Sequence, residues 1–389
     1  MAGSDAGHAF PALGLAAAFS DAGDDVVVYT GARWQSAAAR RGLTVRPLPG
    51  LAAREGEDDA DAGAKLSSRA ARMAVELAPL LAIDDVDLVV SDVITVAGGW
   101  AAELAGIPWI ELSPHPLYEQ SKALPPIGAG LEAGERRRDR IRDAALRGLG
   151  APARARGLRQ RRRAREDIGL IGDAAPAARF VATLPGLEVP RPDWPVRTHL
   201  IGPLFFEPTD AVFDVVPERG PLVVVCPSTA ETGSAELGEV ALSVLAERQK
   251  RGAVRVVYSA LNVPDDLSGA PSGLVAGLAR QDRAFAQADL VVCGGGHGTL
   301  AKALSAGVPV VVVPGGGDQW ELANRVERAG AGRLVRPVTR GALQAAIDDV
   351  LGDPSYARRA AEIGATASST VGPLVVARRV LARTKGRRS

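Results

Sequence analysis

The stretch from residue 288 to 332 constrains this chain more than any other. It reads ADLVVCGGGHGTLAKALSAGVPVVVVPGGGDQWELANRVERAGAG. Residues 290–293 form a short apolar run, the pattern of a parallel strand buried on both faces. The run ends in Gly294, Gly295 and Gly296, where the backbone can turn sharply and approach a ligand closely. Residues 299–306 predict a helix stopped by Gly307. Residues 308–313 predict a second buried strand, closed by Pro314 and three more glycines. A strand, a glycine turn and a helix N-terminus together make an anion site, because unpaired N–H groups and the helix dipole both point at the ligand. Asp318 and Gln319 fall just past the second strand, where open α/β sheets place their ligands. A glycine turn between strand and helix also arises from packing alone, but structure alone rarely needs a triple glycine twice.

The spacing GGGHGT…GVP…P…DQ resembles the donor-site signature of family-1 glycosyltransferases of the GT-B fold, written HGGxGT…GVP…P…DQ, and specifically the actinobacterial antibiotic type. The match runs without a gap from residue 278 to 332. The resemblance implies two Rossmann-like domains of parallel α/β sheet facing a cleft. It also implies a nucleotide-sugar donor bound by the second domain, at Ser228, Thr229, Leu278, Gln281, Gly295, Gly296, His297, Gly298, Thr299, Lys302, Asp318 and Gln319.

Length agrees with two domains: 389 residues allow two cores. A hydrophobic content of 47% and a net charge of +1 describe a globular chain that is not a general polyanion binder. Cys226 and Cys293, each in a strand-like run, suit a reducing cytoplasm and exclude a disulfide framework. Four histidines and two distant cysteines give no metal-ligand cluster; no cofactor beyond the co-substrate is expected. No run is long enough to span a bilayer, and residues 1–20 lack a signal peptide's basic start and apolar block.

In chain order, the opening is a glycine-rich loop with no strand before it. The related enzymes have a central strand there, so the first strand of the N-terminal domain is expected to be missing. A helix is predicted over 11–22 and a strand over 26–30. His8 precedes the helix, where a lone histidine often caps or packs; the resemblance instead implies a catalytic base. Residues 54–82 are polar, with acids around 55–61, then helix-like. The strand predicted over 87–92 ends in Asp92. The resemblance implies that this carboxylate orients the base, while an Asp there also caps helices. Both uses are open at this point. The strand predicted over 107–112 leads into a proline-broken loop whose His115 and Tyr118 read as acceptor-pocket wall, His115 being a second, weaker base candidate.

Residues 132–167 carry an arginine excess. It reads first as a solvated helix face paired with acids, and second as a contact with an anionic membrane surface or an acidic acceptor. Nucleic acid is disfavoured, since no aromatics are interleaved for stacking. Domain boundaries are read at 1–206 and 221–389, with a Pro- and Asp-rich linker over 207–220. Helices are predicted over 338–351 and 356–385, the latter crossing back onto the first domain by resemblance.

The departures from the signature concern the nucleotide. Gly294 replaces the usual histidine, Leu278 the stacking aromatic, Lys302 the ribose carboxylate and Leu322 an asparagine. The reading is a cytoplasmic inverting glycosyltransferase, with peripheral contact at the inner membrane face through residues 136–165 left open. It would pass a sugar from a UDP- or dTDP-sugar to a hydroxyl of a small apolar acceptor. The alternatives are a non-catalytic descendant acting as a binding or partner protein and, less favoured, a sugar-nucleotide epimerase.

Overall fold

The computed structural model describes every residue except 53, 55–61, 173, 216–219, 230–232, 253, 268–269 and 389. The acids expected at 55–61 and part of the 207–220 linker lie outside the described residues. The N-terminal half runs α1 (Ala6–Asp21), β1 (Val27–Thr30), α2 (Gln35–Ala39), β2 (Thr44–Pro47), α3 (Ala62–Ile83), β3 (Val89–Asp92), α4 (Ala97–Ala105), β4 (Trp109–Ser113), α5 (Arg137–Glu166), β5 (Ala178–Val181) and β6 (Thr198–Leu200). All pairings are parallel, in two pieces, β1-β2 and β3-β4-β5-β6. Valine and isoleucine runs with helices between them leave little else, since parallel strands need crossovers that cover both faces.

No strand is formed ahead of α1, yet the gap between the two sheets is not empty. Residues 1–3 thread it. The Met1 amino group donates to the Val90 carbonyl (2.8 Å), and the Met1 carbonyl accepts from Asp92 N–H (3.0 Å). On the other side Ala2 N–H donates to the Tyr29 carbonyl (3.1 Å), and Thr30 Oγ1 to the Gly3 carbonyl (2.8 Å). These bonds join β1 to β3 at their carboxyl ends, the ends that carry the site. Buried backbone groups demand partners, and this tripeptide supplies them between β1 and β3.

The C-terminal half runs β7 (Leu222–Cys226), α6 (Leu237–Arg251), β8 (Arg255–Ser259), β9 (Val275–Gly277), α7 (Gln281–Phe285), β10 (Leu290–Cys293), α8 (His297–Ser305), β11 (Val310–Val312), α9 (Asp318–Arg328), β12 (Gly332–Leu334), α10 (Arg340–Gly352), α11 (Ser355–Ala365) and α12 (Pro373–Arg388). Its six strands order as β12-β11-β10-β7-β8-β9. Leu222, Val224, Val291 and Val310 face one core, and Val223, Val225, Val292 and Val311 the other.

The single helix predicted over 356–385 is two. A 3₁₀ turn at Thr366–Ser369 ends the first, and Pro373 opens the second, where its missing N–H costs nothing. This break lets α12 leave the C-terminal half and bury Val376, Ala377 and Val380 among Ala12, Leu15 and Phe180 of the other half. Arg378 pairs with Asp24 through two hydrogen bonds of 2.6 and 2.8 Å. The halves also meet through buried polar groups. Arg325 donates to the Leu187 carbonyl (3.0 Å) and to Glu321 (3.1 Å), while Glu321 accepts from Gly128 and Gly130 N–H.

The arginine-rich segment is one helix, α5, with Pro152 inside it. Arg165 is buried and forks onto Glu103 at 3.1 and 2.7 Å. Arg142 pairs with Asp143 and Arg147 caps the Leu124 carbonyl. Ile141, Leu149 and Leu158 are exposed among the outer arginines.

Candidate active site

On the N-terminal side the site is built from two residues held by backbone. The first helix starts earlier than its predicted boundary, so His8 lies in the first turn of α1 and not in a loop. Its Nδ1 meets Asp92 Oδ1 at 2.7 Å. Asp92 is buried at the end of β3, and its Oδ2 accepts from Ile94 and Thr95 N–H at 3.0 Å each. Val96, not Asp92, is the residue preceding α4. The carboxylate therefore serves the turn with one oxygen and the imidazole with the other. A bond at Nδ1 leaves Nε2 as the free basic nitrogen.

Electrostatics follow from this packing. Burial pulls the His8 imidazole down, but the hydrogen bond and charge of Asp92, with Asp5 and Asp318 adding, leave it raised above its ordinary value. Burial pushes Asp92 up, and the His8 contact outweighs it, so the carboxylate sits below its usual range. His115 behaves oppositely: burial lowers it, and its Nδ1 is taken by the Pro116 carbonyl at 2.8 Å. The His115 ring stacks on Tyr118 at 4.3 Å and stands edge-on to His8 at 6.2 Å. The Tyr118 hydroxyl is buried with no hydrogen-bond partner among the described residues.

On the C-terminal side the glycine turn after β10 leads into α8, which starts at His297, two residues before its predicted boundary, with Gly296 as its cap. Gly295 has φ +84°, a conformation that favours glycine. At Gly294 a Cβ would lie 2.8 Å from Ser228 Cβ and 3.2 Å from the Ser228 Cα and N. The loop after β7 occupies the space that a side chain at 294 would need. Gly296 and Gly298 border open space, which leaves the first amides of α8 approachable. Thr299 is half-buried beside them and Thr229 is exposed. Leu278 is also exposed, at 42%.

Four residues expected to face the donor are bonded to other protein groups instead. Gln319 is buried with its amide engaged: Nε2 donates to Ser228 Oγ (2.9 Å) and Oε1 accepts from Gly315 N–H (3.0 Å). It ties the loop after β7 to the glycine turn after β11 and leaves Asp318, the exposed first residue of α9, as the polar group beyond them. The His297 ring does not face the glycine turn; it is buried across the interface, its Nε2 2.9 Å from Thr183 Oγ1 of the other half. Burial pulls it down to about 3, the nearby His115 contributing, so it stays neutral. Lys302 neither points to solvent nor reaches a phosphate position. Its ammonium is bonded to Glu207 and to Gln281 Oε1 (3.2 Å). Gln281 completes the cluster through Ser259 Oγ (3.2 Å).

Glu207 is the residue that sequence reasoning missed. Its carboxylate also accepts from Gln281 N–H (3.1 Å) and Asp282 N–H (3.3 Å), capping α7. The available signal was an acid directly after the buried Phe206, in a segment whose Pro and Asp content reads as linker. Cys226 and Cys293 are free, buried and directly paired in register beneath the turns.

Residues 273–382 match the family described as Erythromycin biosynthesis protein CIII-like, C-terminal domain. The chain is similar to 4'-demethylrebeccamycin synthase of Lentzea aerocolonigenes, 27% identical over 395 residues and covering 92% of each chain. Among solved structures it is similar to the glycotransferase of kitacinnamycin, with TM-score 0.73, 22% identity and coverage of 99% of this chain and 97% of that one. It is also similar to the spinosyn rhamnosyltransferase complexed with thymidine diphosphate, with TM-score 0.67, 17% identity and 96% coverage of each.

Proposed function

From its place among the family-1 glycosyltransferases of the GT-B fold, we propose that this chain catalyses inverting transfer of a sugar from a nucleoside diphosphate to a hydroxyl of a small apolar acceptor. The carrying observation is the 2.7 Å contact between His8 and Asp92 at the carboxyl edge of the first sheet. In this reading His8 Nε2 removes the acceptor hydroxyl's proton as that oxygen bonds to the anomeric carbon. The bond from that carbon to the diphosphate breaks on the opposite face, and the nucleoside diphosphate leaves with the electron pair. Asp92 holds the tautomer and balances the imidazolium that forms. The amides of residues 295–299 and the Thr299 hydroxyl meet the charge building on the diphosphate, and no metal ion or further cofactor enters the scheme. Asp318 holds sugar hydroxyls, braced by Gln319. His115 and Tyr118 line the acceptor side.

A thymidine diphosphate donor is favoured over a uridine one. A solved relative carries thymidine diphosphate, and the Glu207 carboxylate beside Lys302 is taken up by that ammonium and by the Gln281 and Asp282 amides rather than left for a ribose 2′-hydroxyl. The assembled dyad disfavours a non-catalytic descendant, and no acid/base set of the kind an epimerase needs stands in the cleft among the described residues. Among the described residues no helix is long and apolar enough to cross a membrane; the exposed arginines of α5 favour contact with an anionic membrane face. The test is incubation with a panel of nucleotide sugars, following nucleoside diphosphate release with and without mixed hydroxylated acceptors. Acceptor-dependent release, with dTDP-sugars foremost, is expected. Absence of release from every donor would overturn the reading.

A further inference from the structure

Away from the cleft, a cavity of about 170 Å³ lies at the seam where α12 docks on β5 and β6. Its walls divide by chemistry. Ala177, Ala178, Val376 and Val380 make the apolar side, and Arg197, Arg379, Arg383 and His199 make the polar one. No acid is among the lining residues. An acid is available close by, but Asp24 is taken by Arg378, one residue along the same helix. Arg197 sits at φ +61°, a left-handed conformation that non-glycine residues seldom adopt. His199 is held below its ordinary value, first by burial and then by the charges of Arg379 and Arg383, so the guanidiniums are near enough to be felt.

Three arginines around one cavity, with no acid among the lining residues, give it a positive potential that favours an anion. They also present planar forks that match an oxyanion with more than one acceptor oxygen. A phosphate monoester, able to carry two negative charges, answers them better than a single carboxylate. The volume leaves room for a phosphate head and a few methylenes against the Ala and Val wall. We propose that this cavity binds a phosphate-headed anion with a short apolar stem, and that its occupation fastens α12 to the N-terminal half. One wall belongs to the helix that has crossed over and the other to the sheet that receives it, so a ligand bonding both acts as a clamp. The site lies outside the catalytic cleft, and the inference stands whether or not the proposed transfer reaction is correct.

Two sources share this chemistry, a soluble phosphate monoester and the headgroup of phosphatidic acid. Calorimetry on the full chain with n-butyl phosphate should show saturable binding, several-fold tighter than inorganic phosphate because of the apolar wall. The double variant Arg379→Gln, Arg383→Gln should weaken it roughly ten- to hundred-fold. Both arginines are exposed, so this variant should keep the wild-type melting temperature. Hydrogen exchange should report slower amides in α12 when butyl phosphate is bound. In a second arm, sedimentation with phosphatidylcholine vesicles with and without phosphatidic acid separates the sources. Vesicle binding lost in the same variant, without butyl phosphate binding, assigns the site to the lipid headgroup. Butyl phosphate binding and vesicle binding both unchanged in the double variant, or both absent from the wild type, would overturn the proposal. Unchanged exchange in α12 with ligand bound would overturn the clamp.

Discussion

The two sides of the cleft differ in how they tolerate change. On the N-terminal side, chemistry rests on one imidazole and one carboxylate. A short bond joins the two, and Asp92 is fixed further by backbone that cannot be swapped without moving a strand end. On the C-terminal side the binding surface is spread over amides of a glycine turn, and the side chains around it have been exchanged. Ser228 closes on Gly294, Glu207 neutralises Lys302, and Gln319 ties the loop after β7 to the glycine turn after β11. Backbone N–H groups hold an anion whatever side chains surround them, so a donor site can be rewired while a base and its orienting acid cannot.

The largest effect should come from the side with no redundancy. His8→Ala is expected to lower turnover by roughly 10²–10⁴-fold, with calorimetric affinity for nucleoside diphosphate close to wild type. Near-normal turnover would move the base elsewhere, His115 first. On the rewired side, Lys302→Glu sets two carboxylates against each other in a mostly buried place. Breaking such a pair costs about 3–5 kcal/mol, so a lowered melting temperature and weakened dTDP and UDP binding are expected. Adding Glu207→Lys should restore most of the loss; if the double variant is no better than the single one, the two residues are not partners. Smaller again is Gly294→His. It brings in the histidine of the resembled signature but drives it into Ser228, an overpacking cost of about 1–3 kcal/mol. Weaker donor binding is expected, and tighter binding would show that the loop after β7 gives way freely. The smallest effect concerns residues 1–3: an apolar strand-forming segment placed before Met1 should raise the melting temperature by extending the ladder between β1 and β3.

The sequence was legible where the controlling signal is local. The apolar run 290–293, its glycines and the following helix are one contiguous pattern, and period and turn chemistry suffice to read it. His8 and Asp92 lie 84 residues apart, and only the family resemblance paired them. Glu207 and Lys302 are 95 residues apart, and no resemblance covers an exchange in which the acid arrives from another segment. Gln319 was visible as a polar residue past a strand, but the sequence could not show that its amide would be consumed by Ser228 and Gly315. The break between α11 and α12 was hidden because Ser368, Ser369 and Gly372 sit inside a long run with helical spacing. The role of residues 1–3 was hidden for a different reason, since three residues carry no periodicity at all.

The central claim is that His8 acts as a base tuned by Asp92, and a pH–rate profile tests it most directly. An imidazole must be neutral to accept a proton, and that of His8 is raised above 6.5. The wild-type kcat/KM should therefore rise with pH along a limb whose midpoint lies above 6.5, and flatten once the ring is deprotonated. The same shift stabilises the folded protein below pH 6.5, and that contribution should fade as pH rises through the folded-state value. Asp92→Asn removes the charge and should move the midpoint of the rate profile toward acid while lowering the plateau. A wild-type profile flat through this range, or a midpoint unmoved in Asp92→Asn, would contradict the account.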